Sequence, residues 1–363
     1  MKVKKEVCIC GGGNQAHVLG GYLASKCDVS VRLLTRRPEQ WCTDGTGLLL
    51  KDFNGKEYRG RFSLITSDVA LALSGADMVF ICLPGFAIAD ELRAIKDYLT
   101  PEMYVGSVVS STGFFLMAHK LLPSNVRLFG FQRVPFIARV EKYGSEAKLL
   151  GYKSSLSIAV ENIFDKEALT CILSDMLDVP VDCLDSYLKV TLTNSNPILH
   201  PSRLYEAFGG EQKVFDHEIL FYEEWNERSS EILISCDNEF HEVLGRLSFA
   251  RNDVPTLLAY YECSDAVSLT AKIRSIRAFK GLKAPMRKIA DNLYAPDYEN
   301  RYFTEDIPYG LLLVKAYADK FKVDTPMIDE IISWAQEAMG KQYMSDGIMN
   351  GADLKGTIVP YVI

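Results

Sequence analysis

The sequence predicts an α/β protein in two parts: a doubly wound parallel sheet over residues 1–188, then an all-α domain over residues 189–363. Three observations carry this expectation. Short apolar runs rich in β-branched residues alternate with helical patterns through the first half. A glycine loop joins the first run to the first helical pattern. Past residue 188 the β-like runs stop and a 3.6-residue periodicity takes over. A length of 363 residues suits two domains at about 100–200 residues each.

Residues 3–10 form the first apolar run, which ends at Gly11-Gly12-Gly13, and residues 16–24 repeat at helical spacing. After a turn at Lys26-Cys27-Asp28, residues 29–34 read as a second strand. Residues 78–83 form a third, stopped by Pro84-Gly85, and runs at 104–109, 126–131 and 156–160 continue the series. Helical patterns lie between them, notably at 88–98 and 167–177. Strands alternating with helices imply parallel pairing, and right-handed crossovers make this a Rossmann-type layer. In the second part, residues 215–247 are helical in pattern and Asn252-Asp253-Val254-Pro255 breaks them. Ser264 is expected to cap a helix ending near Lys280-Gly281, and Thr325-Pro326 to open one that Gly340 stops.

Composition narrows the function classes. The chain is 48% hydrophobic and 24% charged, which excludes disordered and fibrous classes. Its net charge of −7 gives no electrostatic footprint for nucleic acid or an anionic membrane. No stretch reaches the ~20 apolar residues of a membrane span. The lysines at positions 2, 4 and 5 precede too short an apolar stretch for a signal peptide. Nine cysteines, with one Cys-x-Cys (Cys8, Cys10) and no Cys-x-x-Cys, fit free thiols in a reducing compartment and no metal site. The expectation is a cytoplasmic protein, its oligomeric state open with a homodimer as one option.

The glycine loop is the strongest local signal. Gly11-x-Gly13-x-x-Ala16 follows a strand and opens a helix. In that context the first glycine permits the tight turn and the second admits a pyrophosphate. The small third residue keeps the helix close to the sheet, and the helix N-terminus faces the phosphates. The competing reading is a plain strand-to-helix turn. An NAD site usually places an acidic residue at the end of the second strand. Here Thr35-Arg36-Arg37 stands there, and Asp28 lies before the strand. Arginines suit a 2′-phosphate, hence NADP with NAD still open, although exposed arginine is common in surface turns. The expected nucleotide site comprises Gly11, Gly12, Gly13, Asn14, Gln15, Ala16, Thr35, Arg36, Arg37, Leu83 and Pro84.

A second constellation lies beyond the boundary. In Asn196-Pro197-Ile198-Leu199-His200-Pro201 a histidine precedes a proline, which disfavours the α region and predicts an irregular backbone at His200. Spacing alone does not prefer it over His17, His119, His217 or His241. In Arg301-Tyr302-Phe303-Thr304-Glu305-Asp306-Ile307-Pro308-Tyr309-Gly310, charge gathers ahead of an apolar helical run at 311–321. The plainest role for Asp306 is a helix cap.

Together with Gly11-Gly12-Gly13-Asn14-Gln15-Ala16-His17 and Gln132-Arg133-Val134-Pro135-Phe136, these two segments resemble the octopine/nopaline (opine) dehydrogenases, from residue 7 to about residue 335. The resemblance implies His200 and Asp306 as a catalytic pair and Arg301 as the ligand of a substrate carboxylate. It also implies reductive condensation of a 2-keto acid with the amino group of an amino acid, using NADH or NADPH. The chemistry agrees with the residue types. Reduction needs a proton donor near neutral pH, for which histidine suits. A carboxylate on its other ring nitrogen would orient it, and arginine fixes carboxylates. The nearer rival is a keto-acid reductase like ketopantoate reductase, which uses a lysine and an asparagine one turn on. Here Lys189 is followed by Thr193 at that spacing and by Asn194 only at five residues. The other is a non-catalytic NADP-sensing regulator, which would have no use for an acid–base group.

Overall fold

Strand β1 (Lys5–Cys10) is buried from its third residue on, as expected of a central strand covered on both faces. It leads through the glycine turn into α1 (Asn14–Ala24) and β2 (Val29–Leu34). The computed structural model describes residues 4–42, 45–247 and 253–362; Val3, Lys2 and Asn252 of the sequence reading lie outside them. Next come β3 (Leu48–Asp52), β4 (Glu57–Gly60), β5 (Leu64–Thr66) and the short α2 (Val69–Leu73). Regular alternation resumes with β6 (Met78–Ile81), α3 (Gly85–Ile95), β7 (Tyr104–Ser107), α4 (Phe114–Leu121) and β8 (Arg127–Phe131). The hairpin of β9 (Phe136–Lys142) and β10 (Glu146–Tyr152) intervenes before β11 (Leu156–Glu161), α5 (Lys166–Leu177), β12 (Val181–Cys183) and α6 (Tyr187–Thr191).

Eight of these strands form one sheet in the order β12-β11-β8-β7-β6-β1-β2-β5. Its direction of growth reverses between β1 and β6, so the carboxyl ends of those two strands flank a crevice, the usual ligand position in such sheets. The sheet is mixed rather than wholly parallel: β11 runs antiparallel to β8, because the β9–β10 hairpin and not a helix connects them. That hairpin joins β3 and β4 in a second sheet, β4-β3-β10-β9, which the sequence reading did not foresee. Its outer strands expose one face, and their weaker apolar pattern is split between two distant stretches of chain.

His17 ties the glycine turn to this second sheet. Its Nε2 accepts the Gly144 N–H at 2.8 Å, so the proton sits on Nδ1 and is donated to the Gly13 carbonyl at 2.9 Å. The ring also stacks on Trp41, with centroids 4.0 Å apart. Burial pushes its pKa below the ordinary histidine value.

The chain divides into two compact units, residues 1–194 and 195–363. The second is built on α7 (Asn196–Phe208), α8 (Glu227–Leu244), α9 (Leu257–Tyr260) and α10 (Ala266–Ser275). It continues through the hairpin β13 (Met286–Ala290) and β14 (Leu293–Pro296) to α11 (Arg301–Thr304). One π-helical turn at Ile307–Leu311 leads into α12 (Leu312–Phe321), followed by α13 (Pro326–Ala338) and α14 (Val359–Val362). Among the described residues that hairpin is the unit's one sheet, a departure from the all-α expectation. Its strands are mostly exposed and pair locally, with Phe215 bridging to Tyr294, so residues 215–226 are not helical despite their spacing. Asp265, not Ser264, caps α10 through a capping box with Ser268. Pro326 occupies the first turn of α13 as expected, and Gly340 follows it at φ +62°.

Because the folded pKa of His17 lies below the unfolded value of about 6.5, its contribution to stability is present above that pH and is lost as pH falls. His17→Phe keeps the stack but strands a buried N–H and carbonyl, and should cost about 1–3 kcal/mol. Melting curves should fall from pH 7 to pH 5 in the parent and less steeply in the variant; equal slopes would refute the role.

Candidate active site

Two constellations emerge, one in each unit. In the first, the glycine loop lines a groove of about 650 Å³ together with Thr35, Arg36, Arg37, Leu83 and Pro84. Gly11 has φ +134°, and a Cβ there would lie 2.6 Å from the Cys82 carbonyl oxygen, so the turn demands glycine. A Cβ on Gly12 would lie 2.5 Å from the Tyr143 hydroxyl and 3.1 Å from Thr35 Oγ1. A Cβ on Gly13 would meet nothing within 4 Å, so the protein's own packing does not require glycine at that position. Its absence leaves the start of α1 bare towards the groove, a surface that fits a pyrophosphate.

The expected nucleotide residues separate into two kinds. Arg36 and Arg37 are exposed on the groove. Asn14 and Gln15 are engaged elsewhere: Asn14 Oδ1 accepts the Val140 N–H at 2.9 Å, and Gln15 Nε2 donates to the Phe136 carbonyl at 2.9 Å. Their side chains fasten α1 to β9, and Ala16 is buried beneath them. Several residues of the groove lie outside the sequence expectation, two of them polar groups that reach it from other elements. Tyr143 arrives from the β9–β10 turn, and Glu91 from α3. Burial raises the Glu91 carboxyl, against the Cys10 thiol and the Arg36 charge, which lower it. No local motif marks either one.

The second constellation centres on His200. Its Nδ1 lies 2.8 Å from Asp306 Oδ2 and its Nε2 lies 3.1 Å from the Tyr222 hydroxyl. Tyr302 stacks on the ring at 4.2 Å, and Phe221 meets it edge-on at 5.7 Å. The expected irregular backbone is corrected here: His200 lies inside α7, and Pro201 is within the same helix. Pro201 forfeits one donor close to the helix start, and α7 buries eight residues from Ile198 to Phe208, which outweighs the local bias.

Asp306 stands at the head of the π-helical turn but makes no capping bond with its side chain. Its carbonyl accepts the Leu311 N–H at 2.7 Å, while its carboxylate is left for His200. The turn reaches α7 because residue 310 is glycine: a Cβ there would lie 2.7 Å from Pro197 Cβ. Widened π turns of this kind gather at functional sites. Arg301 is exposed at the start of α11, in the same segment as Asp306.

The other histidines differ. His119 and His217 are exposed, His241 is buried 3.8 Å from Asp237, and His17 belongs to the glycine turn. The lysine and asparagine of the reductase alternative are both engaged. Lys189 pairs with Asp185 at 2.9 Å, and Asn194 bonds Arg133 at 3.3 Å and Ser111 at 3.2 Å.

Comparison with known proteins gives a consistent result. The family model for the α-helical domain of NAD/NADP octopine/nopaline dehydrogenases matches residues 183–339. Octopine dehydrogenase of Pecten maximus is 31% identical over 98% of this chain and 95% of its own. Tauropine dehydrogenase of Arabella iricolor is 30% identical over 97% and 96%. A solved structure of octopine dehydrogenase with NADH and L-arginine has a TM-score of 0.87 at 29% identity, covering 98% of this chain and 95% of that one. A ketopantoate reductase from Ralstonia eutropha shares the fold alone, with a TM-score of 0.64 at 17% identity over 92% and 98% of the two chains. With such identity across nearly the full length of both sequences, this chain belongs to the octopine/nopaline dehydrogenase family.

Proposed function

We propose that this opine dehydrogenase condenses a 2-keto acid with the amino group of an amino acid and reduces the product, preferring NADPH. The observation that carries the reading is the His200–Asp306 contact at 2.8 Å, made between two segments remote in sequence. Asp306 holds the imidazole by Nδ1 and compensates its charge when protonated, leaving Nε2 for proton exchange. Arg301 offers a planar fork to the carboxylate that keto acids and amino acids share. The bare glycine loop and the start of α1 would hold the pyrophosphate of the dinucleotide, which supplies hydride when bound. Arg36 and Arg37, exposed on the same groove with no acidic residue at the end of β2, favour a 2′-phosphate.

Positioned proton transfer contributes ~10²–10⁴-fold, so His200→Ala should lower kcat by that order while NADPH affinity is kept. Asp306→Asn should impair the same step, and the double variant should be little worse than the worse single. Near-normal turnover of His200→Ala, or losses that multiply, would overturn the pairing. For the cofactor, Arg36→Ala with Arg37→Ala should weaken NADPH binding by roughly ten- to hundredfold and NADH far less, as titration calorimetry would read. Equal losses, or a parent enzyme that prefers NADH, would refute the NADPH assignment.

A further inference from the structure

Both nitrogens of His200 are occupied. Asp306 takes Nδ1, Tyr222 takes Nε2, and the side chain is only 7% exposed. One face of the ring is covered by Tyr302 and an edge by Phe221. Among the described residues, the group that meets Nε2 is therefore the Tyr222 phenol. A phenol both donates and accepts. It can give its O–H to the lone pair of the neutral ring, and it can accept Nε2–H from the charged one. Burial pushes its pKa up, which favours the neutral phenol before and after an exchange.

The fold spends a buried cation on keeping Tyr222 in place. Arg203, one turn beyond His200 on α7 and 3% exposed, donates Nε to the Phe221 carbonyl and Nη2 to the Glu224 carbonyl, each at 3.0 Å. Those carbonyls bracket Tyr222. Its ring is held parallel to Phe279, with centroids 4.0 Å apart, and also to Trp225. Tyr302, which stacks on His200, neighbours Arg301 in sequence. Helix α7 thus carries both the histidine and the clamp for its partner.

We propose that Tyr222 is a third member of the acid–base unit, the hydroxyl through which His200 exchanges its proton with the substrate; this rests on the acid–base reading of His200. In the reductive direction, the secondary amine formed at the reduced carbon takes the Tyr222 proton to become an ammonium. The Nε2 proton of the imidazolium passes to the same oxygen. In the oxidative direction the substrate ammonium gives its proton to Tyr222 Oη as the tyrosine's own moves to Nε2, leaving an imidazolium opposite Asp306. Tyr222 is neutral before and after each exchange.

Tyr222→Phe keeps the stacked ring and removes only the hydroxyl. Its kcat should fall by ~10²-fold, with KM for the keto acid, NADPH affinity and melting temperature near those of the parent. The solvent deuterium isotope effect on kcat should rise as proton transfer becomes limiting. In a His200→Ala background the same change should alter kcat less than about twofold, because the hydroxyl and the imidazole pass one proton as a single relay. If His200→Ala is impaired while Tyr222→Phe turns over normally, the relay is wrong and the function stands. If His200→Ala itself is near normal, the underlying acid–base reading is what fails. Losses that multiply in the double variant, or a fall in kcat matched by lost stability or NADPH affinity, give Tyr222 a structural role and overturn the relay.

Discussion

The bond between His200 Nδ1 and Asp306 Oδ2 joins segments 106 residues apart, and much of the second unit is arranged so that it can form. Three local departures from ordinary helix chemistry make it possible. Pro201 sits inside α7, a π turn replaces an α turn after Asp306, and a glycine at 310 lets that turn approach Pro197. Each would weaken a helix in isolation. Together they bring a carboxylate and an imidazole to 2.8 Å within a frame of aromatic rings, and the burial of α7 and of the π turn covers the cost.

In the first unit the corresponding constraint is the crevice between the diverging halves of the sheet. The glycine loop there is not a free turn. Asn14, Gln15 and His17 fasten it to β9 and to the turn at Gly144, so the backbone that faces the groove is held from behind. A rigid loop loses little conformational entropy when it meets a ligand, which is the general advantage of preorganised sites. The second sheet earns its place as the body to which the loop is fixed, and it delivers Tyr143 to the groove.

Two buried cations of the helical unit are held in the same way. Arg203 gives its hydrogen bonds to Glu206 and to backbone carbonyls, while Lys315 is held by Asp319, Asp329 and Thr325. Fully paired groups of this kind cost far less than isolated charges and fix geometry closely. Around Tyr222 and His200 that fixity serves orientation.

The sequence by itself determined the strand–helix alternation, the glycine loop, the arginines after β2 and the two motifs with His200, Arg301 and Asp306. These features are local, written in periodicity, in spacing or in a run of a few residues. Only the tertiary structure decided the rest. The second sheet is assembled from strands some ninety residues apart, and its half-exposed faces blur the alternation that marks a strand. The helical state of His200 went against its local bias, because a proline's preference of a few kcal/mol is smaller than the burial of a whole helix face. The side chains of Asn14 and Gln15, which sit in the fingerprint, bond β9. Tyr222 carries no motif at all; its meeting with Nε2 depends on where Arg203 pins a loop, and a contact set by packing at a distance leaves no trace in local sequence.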